Sequence, residues 1–338
     1  MSQYLSHKLT ILYTLLIVMV VYIHSYYLEA ETYKFSLFLQ KFTGGSGLCR
    51  VANSLFFTIS GYLFARNINS LGEVFQKQRK RIRTLLLPYI LWNLIFVGWY
   101  VILEYTPGVS HFNNSSGILN HFLGHSVWEC LNNVFLVPAA FQLWFLRDFL
   151  GMLMLAPLLY YLAKNHVFLT VFLALGMTFV WGWVTYFWLG LLFGAQRWDI
   201  ENYPRHFIYV LLAFLLYLGH AVYIGLGYES TRLVGMLVNL LGIFLVWTLY
   251  DVLARGRCLA NSGIWKYICG YSFFIYCFHE PAFNIIKKLA LVIFGVSEPV
   301  LILFYFVNPW LMVFMAIGVA KLMQRWVPRV YTILTGGR

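Results

Sequence analysis

The chain has 338 residues, of which 61% are hydrophobic and 11% charged, with a mean hydropathy of +0.73. Soluble domains carry ~25% charged residues, so this composition excludes a water-soluble protein and leaves an all-α, polytopic integral membrane protein. The formal net charge of +12 is what basic loops that fix membrane orientation produce, and it does not ask for a nucleic-acid partner. Five cysteines, with no Cys-x-x-Cys spacing, indicate neither a disulfide framework nor a zinc site.

At about 20 apolar residues per span, the length holds roughly nine to eleven helices. Hydropathy places ten, near 9–27, 47–65, 85–104, 142–163, 167–181, 183–196, 206–226, 232–253, 267–286 and 299–320. The first apolar run, Leu9–Ile23, has the length and basic flank of a signal-peptide core. No convincing small-residue cleavage site lies between Tyr26 and Leu39, so the run reads as a retained helix. No internal repeat or long hydrophilic stretch appears, and residues 1–338 read as one transmembrane domain.

Basic residues orient the spans. With a cytoplasmic N-terminus, 17 of the 24 Lys and Arg fall on the inner side, among them Lys8, the run Lys77 to Arg83, Lys164, Arg205, Arg255, Arg257 and Arg338. The positive-inside rule then puts both termini in the cytoplasm. The longest connection, 105–141, has no Lys or Arg and belongs outside under this topology. It carries the Asn113 and Asn114 sequons. It also holds His121, His125 and Glu129 at i, i+4 and i+8, one face of a helix if that stretch is helical; an amphipathic surface helix explains this spacing better than a metal site, and no metal is expected.

Ionisable groups inside spans are costly and point to function. His24 ends the first span, Arg50 and Asn53 open the second, Arg147 and Asp148 the fourth, and His279 and Glu280 lie within the ninth. Measured from Lys8 at ~1.5 Å per residue, His24 is about 24 Å along its helix; the others fall in a similar layer. An imidazole there can take a proton from an attacking hydroxyl while a carboxylate, Asp148 or Glu280, holds its orientation. Arg147 suits an oxyanion or simply a carboxylate partner. The plainer reading of His24 is a histidine hydrogen-bonded between helices. The run Lys77–Arg83, with Lys80, Arg81 and Arg83 nearest the third span, is at once an anchor for anionic lipid and a grip for phosphates.

Several segments resemble the membrane-bound acyltransferase 3 family. They are Val20–Val21–Tyr22–Ile23–His24–Ser25, Phe56–Phe57–Thr58–Ile59–Ser60–Gly61–Tyr62–Leu63, and Arg79–Lys80–Arg81–Ile82–Arg83 leading to Leu87–Pro88–Tyr89. Two later ones are Leu143–Trp144–Phe145–Leu146–Arg147 and Ser272–Phe273–Phe274–Ile275–Tyr276–Cys277–Phe278–His279–Glu280–Pro281. The resemblance implies ten spans, an acyl-CoA donor, transfer of acetyl or another short acyl group to a cell-surface or exported carbohydrate or glycolipid, and a catalytic role for His24. The family usually has an Arg eleven residues before that histidine; here the position is Tyr13, which shifts the expected phosphate grip to Arg81, Arg83 and their neighbours. From a different class, a transporter or flippase for a lipid-linked glycan would also need intramembrane His, Arg and Asp, although no inverted repeat supports it.

Overall fold

The computed structural model describes residues 2–105, 126–201, 203, 206–254 and 263–337, and no strand occurs among them. The helices in chain order are α1 (Gln3–Ile23), α2 (Lys34–Thr43), α3 (Val51–Ala65), α4 (Leu71–Tyr105), α5 (Val127–Phe135), α6 (Trp144–Asn165) and α7 (Val167–Gly176). They continue with α8 (Thr178–Ala195), α9 (Phe207–Gly225), α10 (Arg232–Ala254), α11 (Gly263–Gly270), α12 (Ser272–Phe294), α13 (Glu298–Trp326) and α14 (Pro328–Leu334).

Eight segments of the described residues are long and apolar enough to cross a membrane, close to the ten expected. Two expected spans account for the difference. The segment 167–181 is only the 10-residue α7, about 15 Å long at 1.5 Å per residue. The ninth, α12, has 23 residues but carries Glu280, Lys287 and Lys288 and is interrupted at Glu280, where φ is −106° and ψ 143°. The outward side chains confirm the solvent: Phe168 is 92% and Val180 81% exposed, positions that water would penalise and lipid does not.

The chain divides into two units, residues 1–74 with 156–318, and residues 75–155 with 319–338. In the first, α1 packs against α3, α11 and α12, and α10 packs against α3, α8 and α9. The α3–α8 contact is made backbone to backbone. A Cβ added at Gly61 would lie 2.0 Å from the Phe187 carbonyl oxygen, and one at Gly190 2.0 Å from that of Thr58. Without water between them, membrane helices gain contact by such close approach, so glycine in the segment Phe56–Leu63 is explained by packing.

An ion pair ties α1 to α10. Lys8 Nζ lies 2.8 Å from Asp251 Oδ2, with side chains 2% and 0% exposed. Tyr4 and Tyr203 donate hydroxyl hydrogen bonds to the same carboxylate at 2.7 and 2.9 Å, and Lys8 Nζ sits 3.6 Å over the Trp247 ring. Lys8 is therefore held by partners within the protein. From the helix start at Gln3, His24 is about 31 Å along α1, a full hydrocarbon thickness.

In the second unit, Trp92 Nε1 on α4 donates to the Leu334 carbonyl at 3.1 Å, and the Tyr89 hydroxyl to the Phe135 carbonyl at 2.8 Å. Helix α5 begins with a capping box. Ser126 Oγ accepts from the Glu129 amide at 3.3 Å, and the Glu129 carboxylate accepts from the Ser126 amide at 2.7 Å. Ser126 is extended, at φ −65° and ψ 157°, and Glu129 serves as a cap. His121, His125, Asn113, Asn114, Arg205, Arg255, Arg257 and Arg338 lie outside the described residues.

Candidate active site

Helix α1 ends at Ile23, and His24 is its cap residue, with its amide 3.1 Å from the Val21 carbonyl. The carbonyls past a helix end have no partner of their own. Here Lys287 of α12 supplies one, donating from Nζ to the carbonyls of His24 at 3.0 Å and Tyr26 at 3.3 Å. A cation at a helix C-terminus also meets the favourable end of its dipole. The same contact sets His24 beside α12, where His279 is fully buried with its ring centroid 5.0 Å from that of His24.

The interruption in α12 has a sequence cause. Glu280 precedes Pro281, and a residue before proline is driven from the helical to the extended region; Glu280 adopts that conformation. His279, just before the break, donates from Nδ1 to the carbonyls of Tyr276 at 2.8 Å and Ile275 at 3.2 Å. Among the described residues its Nε2 is buried without a hydrogen-bond partner. Glu280 is 2% exposed, and its Oε2 accepts from Asn284 Nδ2 at 2.7 Å. The first unit thus joins two imidazoles, a buried carboxylate and a half-buried ammonium from two helices.

A cavity of about 580 Å³ reaches the chain on either side of His24, at Ile23 and Tyr26, and has Tyr22, Arg50, Tyr228, Ser230 and Tyr305 on its wall. Ligand sites for small molecules typically measure ~300–1,000 Å³. Arg50, at the end of the turn before α3, donates from Nε to Asn239 Oδ1 at 3.0 Å, and Asn239 Nδ2 donates to the Tyr186 hydroxyl at 2.8 Å. A Cβ at Gly235 would lie 2.1 Å from Arg50 Nη2, so only glycine leaves the guanidinium its place.

The remaining expected residues belong to the second unit. Arg147 pairs with its own neighbour, Asp148, with Nε and Nη2 at 2.8 and 2.7 Å from Oδ1, and its Nη1 donates to the Leu136 carbonyl at 2.7 Å. The carboxylate-partner reading of Arg147 is thereby realised locally. Lys80, Arg81 and Arg83 are all exposed along α4. In the first unit, Tyr13 packs on Phe56, with ring centroids 5.5 Å apart, an aromatic contact where the family usually has a cation.

Lys287 follows Glu280 by seven residues, and the sequence alone does not mark it, since a lysine late in a span reads as a boundary residue. Arg50 was visible as a polar residue in a span, but its tether to Asn239 was not.

Apolar helices that expose phenylalanine and valine, and that hold ionisable side chains against one another inside, define a multi-pass helical membrane protein. Residues 7–322 match the model of the acyltransferase 3 family, described as an acyltransferase domain. The chain belongs to that family and is a membrane acyltransferase. It is also similar to the succinoglycan biosynthesis protein ExoH of Rhizobium meliloti (strain 1021), at 25% identity over 87% of this chain and 81% of the relative. No solved structure matches the chain significantly.

Proposed function

We propose that this acyltransferase moves acetyl or another short acyl group from an acyl-CoA thioester to a hydroxyl of a cell-surface or exported carbohydrate or glycolipid. The observation that carries the reading is the placement of His24, capped by Lys287, 5.0 Å from His279 in ring centroids and bounded in the chain by cavity residues Ile23 and Tyr26. His24 takes the proton of the acceptor hydroxyl as its oxygen bonds to the thioester carbonyl carbon. The carbon–sulfur bond then breaks, and the departing thiolate receives the proton from the imidazolium. His279, whose ring lies 5.0 Å from that of His24, and Glu280 on the same helix are assigned to orient the imidazole, a task a carboxylate performs in other dyads.

The carbohydrate acceptor is supported by the relative named for succinoglycan biosynthesis. The donor phosphates are assigned to Lys80, Arg81 and Arg83, with Arg83 first because it stands nearest the apolar part of α4 and because a guanidinium fork suits phosphate. The remaining exposed basic residues of that run meet anionic lipid. The membrane is the cell membrane, the inner one of a bacterium, with both termini cytoplasmic and 105–141 outside. Glycan mass spectrometry of a deletion strain tests the function: loss of one acyl mass from an otherwise intact glycan is expected, and loss of the whole glycan from the surface would make the protein a transporter instead.

A further inference from the structure

Arg50 poses an electrostatic problem that the transfer reaction leaves open. Its Nε is bound to Asn239, but among the described residues Nη1 and Nη2 have no hydrogen-bond or ion-pair partner. Lys41 stands on the same cavity wall, equally without a carboxylate partner, and Glu229 is the one acidic side chain of the lining. Arg50 is half-buried and opens onto the cavity, and a guanidinium so placed in a membrane protein gains from a counter-charge. Its retention, held by Asn239 and Tyr186 and given room by Gly235, is accounted for if the compensating charge arrives with a ligand.

We infer that the cavity is the acceptor subsite and selects an acidic saccharide, with Arg50 reading an oxyanion carried by the sugar. This rests on the proposed transfer to carbohydrate and deepens it. With Nε occupied, the two Nη groups remain as an end-on fork, which matches the two oxygens of one carboxylate. The rest of the wall suits a sugar. Tyr228 is 57% exposed and stacked on Tyr223 with ring centroids 4.8 Å apart, presenting an aromatic face of fixed orientation to the C–H side of a pyranose. Ser230 Oγ lies 2.6 Å from His220 Nε2, a hydroxyl–imidazole pair able to give or take a hydrogen bond from a ring hydroxyl. Tyr22, Ile23 and Tyr26 of the wall flank His24 in the chain, so the cavity that holds Arg50 also reaches the end of the helix that carries the proposed base.

The test is direct binding of a uronic-acid tetrasaccharide, and of the same tetrasaccharide with its carboxylates reduced to alcohols, to the full chain in lipid nanodiscs without donor. The wild type should bind the acidic form about tenfold or more tightly, the worth of a charge-assisted pair. Arg50→Gln should lower acidic binding to the neutral level and leave neutral binding in place. Gly235→Ala, which keeps the charge but crowds Nη2, should shrink the preference. Should Arg50→Gln fail to fold, Arg50→Lys decides: it keeps the charge and loses the fork, so an undiminished preference overturns the proposal. Equal binding of both glycans by the wild type, or no binding of the acidic one at millimolar concentration, also overturns it. Displacement of the acidic glycan by coenzyme A would assign the cavity to donor phosphate and overturn it too. Failure of the transfer reading shows separately, as a protein that discriminates between the glycans in this donor-free test yet acylates neither when acyl-CoA is added.

Discussion

At the scale of single residues, His24→Ala should lower acyl transfer by about two orders of magnitude or more, the usual worth of a general base, with the protein inserted at its normal level. Turnover assays on purified membranes check this, and near-normal rates would move the base to another group. Lys287 is a positioning residue in this scheme, because its Nζ donates to the backbone carbonyls of His24 and Tyr26. The histidines and Glu280 were legible in the sequence because ionisable letters stand out in apolar runs. Asp251 was not, since an acid at the end of an apolar run reads as the boundary of a span, whereas its carboxylate is buried against Lys8. Nor could the sequence show that Arg147 would be satisfied by Asp148 and the Leu136 carbonyl, because spacing does not reveal which way a guanidinium turns.

At the scale of elements, the Lys8–Asp251 pair joins α1 to α10 where both partners are shielded from solvent. Breaking such a pair from one side leaves an uncompensated buried charge and costs about 3–5 kcal/mol, whereas replacing both partners by apolar residues of similar size is often near neutral. Lys8→Ala or Asp251→Leu alone should therefore lower the unfolding midpoint in detergent strongly. The double variant Lys8→Met with Asp251→Leu should recover most of the loss, and additive losses would show that the two residues act independently. The segment Phe56–Leu63 was legible as a pattern, but its cause was not. Gly61 is needed because α8 approaches within backbone contact, and a partner helix more than a hundred residues later leaves no trace in a local motif. The interruption of α12 at Glu280 was equally hidden, because hydropathy averages over a proline that the backbone cannot ignore.

At the scale of the whole molecule, charge bias predicts orientation. In a cysteine-free background, an impermeant thiol reagent applied to intact cells should label a cysteine placed at Ser115 and not one at Ser70, and the reverse pattern would invert the topology. Composition and hydropathy were enough for the fold class, since a chain that is 11% charged has few ways to exist outside lipid. They could not give the order of assembly, which the Lys8–Asp251 pair imposes. The two residues are 243 positions apart, and at ~5–20 residues per second of synthesis the lysine waits about 12–50 s for its counter-ion to emerge. Until then an unpaired ammonium favours the headgroup zone, reached by its flexible stem. The first helix to be made is thus among the last to settle, and the nascent chain must tolerate a provisional arrangement while most of the protein is still being translated.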